Sequence, residues 1–119
     1  MGGCKLRVLE SAQDQLDGLP AKQRASVLQR MTRLAAECGH PLDRVAPMKR
    51  FAGELRRVRK KQVGRHRVFF TGLGRQCTYS VVLLKPFKKS GVDDEDDRSF
   101  QRKLVASLGS PVARTLPLP

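Results

Sequence analysis

Gln76 to Leu84 ends in four consecutive apolar residues, Val81-Val82-Leu83-Leu84, and this run constrains the fold more than any other stretch. Alternation of apolar and polar residues marks a strand with one wet face; an unbroken aliphatic run marks a strand at a central position in a sheet. Pro86 has no N–H to donate and ends regular pairing. The wider stretch from Glu54 to Lys89 reads as three consecutive strands with basic residues projecting from one side. In the first of these, Leu55, Arg57 and Arg59 would share one face, and Arg56, Val58 and Lys60 the other. Lys61 to Gly64 would turn the chain, Arg65 to Thr71 would return antiparallel, and Gly72-Leu73-Gly74 would turn it again. A turn centred on Val63 pairs Arg59 with Arg67. It sends Arg57, Arg59, Arg65 and Arg67 outward together, with Val58, Val68 and Phe70 toward the core.

Helices are expected on either side of this stretch. Lys5 to Glu10 alternates, with Leu6 and Val8 on one side, and predicts a short first strand. Ser11 would cap a helix toward Leu16, stopped by Asp17-Gly18. Pro20 suits the first turn of a longer helix to Cys38. There Leu28, Met31, Leu34, Ala35 and Cys38 fall at the spacing of one apolar face. Gly39 would end it, Pro41 would prevent resumption, and His40 to Phe51 would be a connecting loop. The acidic run Asp93-Asp94-Glu95-Asp96-Asp97 fits a helix N-terminus, where backbone N–H groups are unpaired. Phe100, Leu104 and Leu108 form the stripe that follows, and Gly109-Ser110-Pro111 stops it. Residues 1–109 thus read as one α+β domain and residues 110–119 as a flexible tail.

Lys and Arg outnumber Asp and Glu by 24 to 11, a formal charge of +13. Such an excess attracts polyanions, above all nucleic acid, or calls for an acidic partner. Like charges on neighbouring strand positions repel, so four arginines on one face favour a phosphate-binding surface over a merely solvated one. Cys4, Cys38 and Cys77 lack metal-ligand spacing, and His40 and His66 stand far apart, so no metal is expected. No apolar run approaches the roughly 20 residues of a membrane span. The N-terminus has no signal-peptide core, and a cytoplasmic protein is expected. Five Phe and one Tyr leave few aromatics for stacking on bases, which argues against sequence-specific single-strand readout.

The order of strand, two helices, three antiparallel strands and a C-terminal helix resembles the toxins of the RelE/ParE superfamily. Within it, the HigB-like, phage-type branch of type II toxin–antitoxin systems is the nearest pattern. Leu55-Arg56-Arg57-Val58-Arg59 takes the place of that branch's L-x-E-L-R segment, with Arg57 where an acidic residue is usual. His66-Arg67-Val68-Phe69-Phe70 matches its Y-R-V-F-Y strand. Leu84-Lys85-Pro86-Phe87-Lys88-Lys89 is similar to its H-x-F-x-K-K exit, with lysine for histidine and one residue fewer before the lysine pair.

The resemblance implies a small RelE-like fold, with an N-terminal strand and helical hairpin on a mainly antiparallel twisted sheet. It also implies a toxin neutralised by a cognate antitoxin, cleaving mRNA in the ribosomal A site with no metal or organic cofactor. In such cleavage the RNA's own 2′-OH attacks the adjacent phosphorus, and the protein aligns the attack, moves protons and stabilises the transition-state charge. Arg59 and Arg67 would stabilise that charge, because arginine stays protonated and grips two oxygens. Lys88 and Lys89 would hold the flanking phosphate or the leaving oxygen. Lys85 is the candidate base, if crowding by cations depresses its pKa. Arg57, Lys60, Lys61 and Arg65 would carry the RNA. His66 alternates with Arg67 and so is placed toward the helices, as a structural histidine. Two other readings keep the fold: a ParE-like gyrase inhibitor acting by protein contact, and a non-catalytic nucleic-acid-binding relative.

Overall fold

In the computed structural model, which describes residues 5–36, 51–73, 78–86 and 93–117, the chain opens with strand β1 (Lys5–Leu9) and helices α1 (Glu10–Asp17) and α2 (Ala21–Ala36). A 3-10 helix (Gly53–Arg57) leads into β2 (Arg59–Val63), β3 (His66–Leu73) and β4 (Thr78–Pro86). Helix α3 (Arg98–Leu108) and strand β5 (Val112–Pro117) follow. The five strands form one mixed sheet in the order β2-β3-β4-β1-β5. Only the β1–β4 pairing is parallel. This is the α+β architecture expected from the sequence.

Strand β4 is central, and its apolar run is divided between the two faces of the sheet. Val81 and Leu84 join Leu6, Val8, Val68 and Phe70 beneath Ala12 and Leu16 of α1 and Val27 and Met31 of α2. Val82 and Leu83 join Phe69 on the opposite face, beneath Leu55 of the 3-10 helix and Phe100 and Leu104 of α3. Two consecutive residues face the same way because the β3–β4 register slips between Phe69 and Phe70, which pair with Leu83 and Val81 and leave Val82 as the extra residue of a bulge.

Beyond Val81 the outer edge of β4 has no strand beside it, because β1 pairs only as far as Val8↔Val81. Side chains of α1 take over. The Ser11 hydroxyl donates to the carbonyl of Val82 at 2.6 Å. One helical turn later the Gln15 amide donates to the Leu84 carbonyl and accepts from its N–H, both at 2.8 Å. Ser11 is therefore not the expected cap. Helix α1 begins at Glu10, and its N-cap residue, Leu9, makes no side-chain cap bond. The effect is to fix the end of β4 that carries Lys85.

The hairpin register also differs from expectation. Val63 pairs with His66, closing a two-residue turn at Gly64-Arg65, where Gly64 takes φ +59°. Tight hairpin turns need positive φ, which glycine adopts without strain. Arg59 consequently pairs with Phe70, and Arg67 with Gln62. This is three residues from the expected Arg59–Arg67 pairing. An odd shift reverses relative facing, so Arg59 and Arg67 lie on opposite faces of the sheet. Gly72 and Leu73, expected in a turn, extend β3 opposite Tyr79 and Thr78.

Residues 112–117, expected to be a tail, pair antiparallel with β1 as the other edge of the sheet. Their alternation is weak because most of these side chains are exposed; only Leu116 packs partly against the core. On α2, Met31 is buried and Leu28 partly so, as expected, with Val27 as an unanticipated core member. The side chains of Leu34 and Ala35, and the whole of Cys4, Cys38, Cys77 and the loop from His40 to Arg50, lie outside the described residues. Among the described residues, no helix is long and apolar enough to cross a membrane.

Candidate functional site

At the end of the sheet where β3 begins and β4 finishes, Arg67 and Lys85 are direct cross-strand partners. Both lie on the α3 side, and Lys60 of β2 leaves on the same side two pairs further along. Three cations on adjoining strands would repel one another without a counter-charge. The counter-charge is Asp94, in the turn that precedes α3. Its side chain is wholly buried; Arg67 Nη1 lies 2.7 Å from Oδ2 and Lys85 Nζ 2.8 Å from Oδ1. Lys60 Nζ lies 3.5 Å from Oδ2. The two carboxylate oxygens are thus shared among three cations from three strands.

The turn is built from the acidic run itself. The Asp96 N–H donates to the Asp93 carbonyl, and the Glu95 N–H to the Asp93 carboxylate. The Asp97 carboxylate accepts from the backbone N–H of Phe100 at 3.0 Å and caps α3, whose N-terminus the acidic run was expected to mark. Its other oxygen lies 3.3 Å from Lys85 Nζ. Gln101 reaches back from α3 to the carbonyls of Asp94 and Glu95. Lys85 also sits 4.5 Å above the Phe100 ring, itself stacked at a tilt on Phe69 with centroids 4.8 Å apart.

Electrostatics here run against the expected role of Lys85. Partial burial would lower its pKa, but the hydrogen bond and charge of Asp94, and then those of Asp97, outweigh it and hold the ammonium above its ordinary value. A lysine so held is a fixed cation rather than a base. Asp97 is shifted below the ordinary carboxylate value, chiefly by the Phe100 N–H, against a smaller opposing effect of desolvation, with Lys85 adding to the lowering.

The other expected site residues are dispersed. Arg59 turns its guanidinium back onto the carbonyls of Arg56 and Val58, on the face away from Arg67. Arg57 is on the 3-10 helix, not on a strand; with Arg7 and Glu54 it borders a pocket of about 310 Å³ floored by Thr71, Thr78 and Ser80. Lys61 and Arg65 are exposed, Lys61 opposite Val68 and Arg65 in the hairpin turn. His66, as expected, is on the helix side, where it lines a pocket of about 220 Å³ with Lys22, Ser26 and Val27 of α2. Lys88 and Lys89 lie outside the described residues. The residue that sequence reasoning missed is Asp94. Its signal was available: five of the chain's 11 acidic residues stand in one run, and a cap needs only one of them.

No protein-family model matches the sequence, and no curated protein matches it. The structure is similar to a chain of the crystallised toxin–antitoxin complex RelBE2 from Mycobacterium tuberculosis. The TM-score is 0.58 at 18% identity, over 73% of this chain and 94% of that one. At such low identity the likeness is one of fold, and the fold is RelE-like.

Proposed function

We propose that the chain is the toxin of a type II toxin–antitoxin system and acts on mRNA as a metal-independent endoribonuclease. The observation that carries this reading is the clamp of Arg67 and Lys85 on a single carboxylate, 2.7 and 2.8 Å from its two oxygens. Two cations fixed by strand register and gripping the oxygens of one anionic group have the chemistry that a phosphodiester requires. The RelE-like fold and the charge of +13 support the same reading.

In this mechanism the 2′-OH of one nucleotide gives up its proton to solvent and attacks the adjoining phosphorus, a 2′,3′-cyclic phosphate forms, and the 5′-oxygen of the next nucleotide leaves and takes up a proton from solvent. Arg67 and Lys85 hold the non-bridging oxygens and stabilise the charge that grows on them in the transition state. Lys60 approaches the same anion from β2, and Lys88 and Lys89 follow β4 in sequence as candidates for the flanking phosphate. Arg57, Arg59, Lys61 and Arg65 belong to the wider basic surface and not to this clamp. The ribosomal A site is the proposed place of cleavage, a cognate antitoxin the proposed partner, and the cytoplasm the proposed location.

A second reading is favoured by one observation. His66, the one histidine among the described residues, lies on the face opposite Arg67, and Lys85 is held as a cation. A non-catalytic nucleic-acid-binding protein would keep the clamp and need no base. The test is brief induction in a bacterial host with mapping of new RNA 5′ ends. New ends within translated codons, lost in Arg67→Ala and in Lys88→Ala/Lys89→Ala, are the expected result. Growth arrest with intact RNA would move the assignment to a protein target such as gyrase.

A further inference from the structure

Asp94, in a run of five acidic residues from Asp93 to Asp97, lies against a place where cations of three strands converge. The run contains no apolar side chain, so nothing hydrophobic in it anchors the turn to the core. What fastens it is polar: the ion pairs of Asp94 with Lys60, Arg67 and Lys85, the Asp97 contacts, and the Gln101 amide on two carbonyls. An attachment of this kind competes directly with other anions, whereas a segment held by buried apolar area does not. The Asp94 carboxylate has the charge, the planar pair of oxygens and the donor contacts that two non-bridging phosphate oxygens would have. The neighbouring cations are half-buried, with 19% of the Arg67 side chain and 23% of the Lys85 side chain exposed. Their outer edges are therefore open to solvent while their anion-binding side is filled.

We propose that Asp94 is an internal occupant of the phosphate site: the acidic turn closes the Lys60–Arg67–Lys85 clamp in the free protein, and a phosphodiester of single-stranded RNA displaces it on binding. The inference rests on reading the clamp as an RNA site and adds its regulation. Free protein is held closed by its own anion, and a polyanion opens it because several phosphates can engage the surrounding basic surface while one carboxylate is lost. Loss of Asp94 thus removes the carboxylate that Lys60, Arg67 and Lys85 share and opens that side of them to RNA phosphate.

The test uses the full chain and a fluorescent single-stranded RNA whose 2′ positions are methylated, so that binding is read without cleavage. Asp94→Asn should bind this RNA at least several-fold more tightly than the unaltered protein, with the salt dependence steeper by about one to two phosphate contacts. Equal or weaker binding by a folded Asp94→Asn protein, alongside measurable binding by the unaltered protein, overturns the inference and leaves the RNA site standing. Absence of binding by both proteins overturns the RNA site and the inference with it. Because Asp94→Asn removes the charge that Lys60, Arg67 and Lys85 share and can fail to fold, a second measurement uses the unaltered protein alone. Saturating RNA should speed hydrogen exchange at the amides of Asp96, Phe100 and Gln101, whose bonds close the turn and the first turn of α3. Slower or unchanged exchange at those amides in the saturated complex shows that the turn stays shut and overturns the proposal.

Discussion

Arg67 of β3 and Asp94 of the turn before α3, 27 residues apart, meet at 2.7 Å with the carboxylate wholly buried. The pair joins the strand that carries the candidate site to the helix that covers one face of the sheet. It makes Arg67 a structural residue as well as a proposed functional one, and that alters what its substitution should do.

Arg67→Ala should abolish growth arrest on induction, if the clamp is the site. It should also cost about 1–3 kcal/mol of stability, because one oxygen of a buried carboxylate loses its closest donor. Urea unfolding of the two proteins measures the second effect separately. A substitution that is stable and still fully toxic would remove Arg67 from the site.

Asp94→Ala should destabilise by a similar amount, about 1–3 kcal/mol rather than the larger cost of a fully buried ion pair. Arg67 and Lys85 keep some contact with water and can rehydrate when the carboxylate is removed. Added salt should narrow the gap between the two proteins, and thermal unfolding at low and high ionic strength checks this.

Asp97 gives a pH signature. Its folded-state pKa lies below the ordinary value of 3.8, so its contribution to stability is complete above that value and is lost as pH falls through the lower, folded one. Asp97→Asn keeps a good N-cap and removes the charge. The stability difference between the two proteins should therefore shrink on acidification below about pH 4, the ordinary carboxylate range. Lys85 has the opposite sign: its contribution holds below 10.5 and is lost as pH rises through the higher folded value. A difference between Asp97→Asn and the unaltered protein that is constant down to pH 2 would contradict the assigned contacts.

Met31→Ala should cost about 2–5 kcal/mol, since the side chain is buried between α2 and the sheet and its removal leaves a cavity. Denaturant unfolding reads this directly. A neutral result would mean that α2 is turned the other way.

Removing residues 112–119 should lower the thermal transition. The chain would lose the pairing of β5 with β1 and the partial burial of Leu116, and the edge of β1 would be left open. The shortened chain keeps Ser110, whose hydroxyl accepts from the Ser11 N–H, and Pro111, whose carbonyl accepts from the Glu10 N–H. An unchanged transition would make the last strand dispensable.

Local pattern determined a good deal of this protein. The unbroken run Val81 to Leu84 required a central strand covered on both faces, and β4 is that strand. The spacing of Phe100, Leu104 and Leu108 required an amphipathic helix, and the acidic run before it marked that helix's N-terminus. These signals survive because the side chain's own neighbours in sequence create them. Register is different. Whether the hairpin turns at Val63 or at Gly64-Arg65 depends on which alternative buries Val63, Val68 and Phe70 together, and that is decided by α1 and α2 from far along the chain. One odd shift moved Arg59 to the other face and left Arg67 opposite Lys85. The β5 strand was illegible for a related reason: an exposed edge strand has little burial to impose alternation. Asp94 was the hardest of all, because charge has no periodicity to read. Sequence shows that five carboxylates stand together in a basic chain; only the tertiary structure, by bringing three strands and a turn to one point, shows which cations they neutralise.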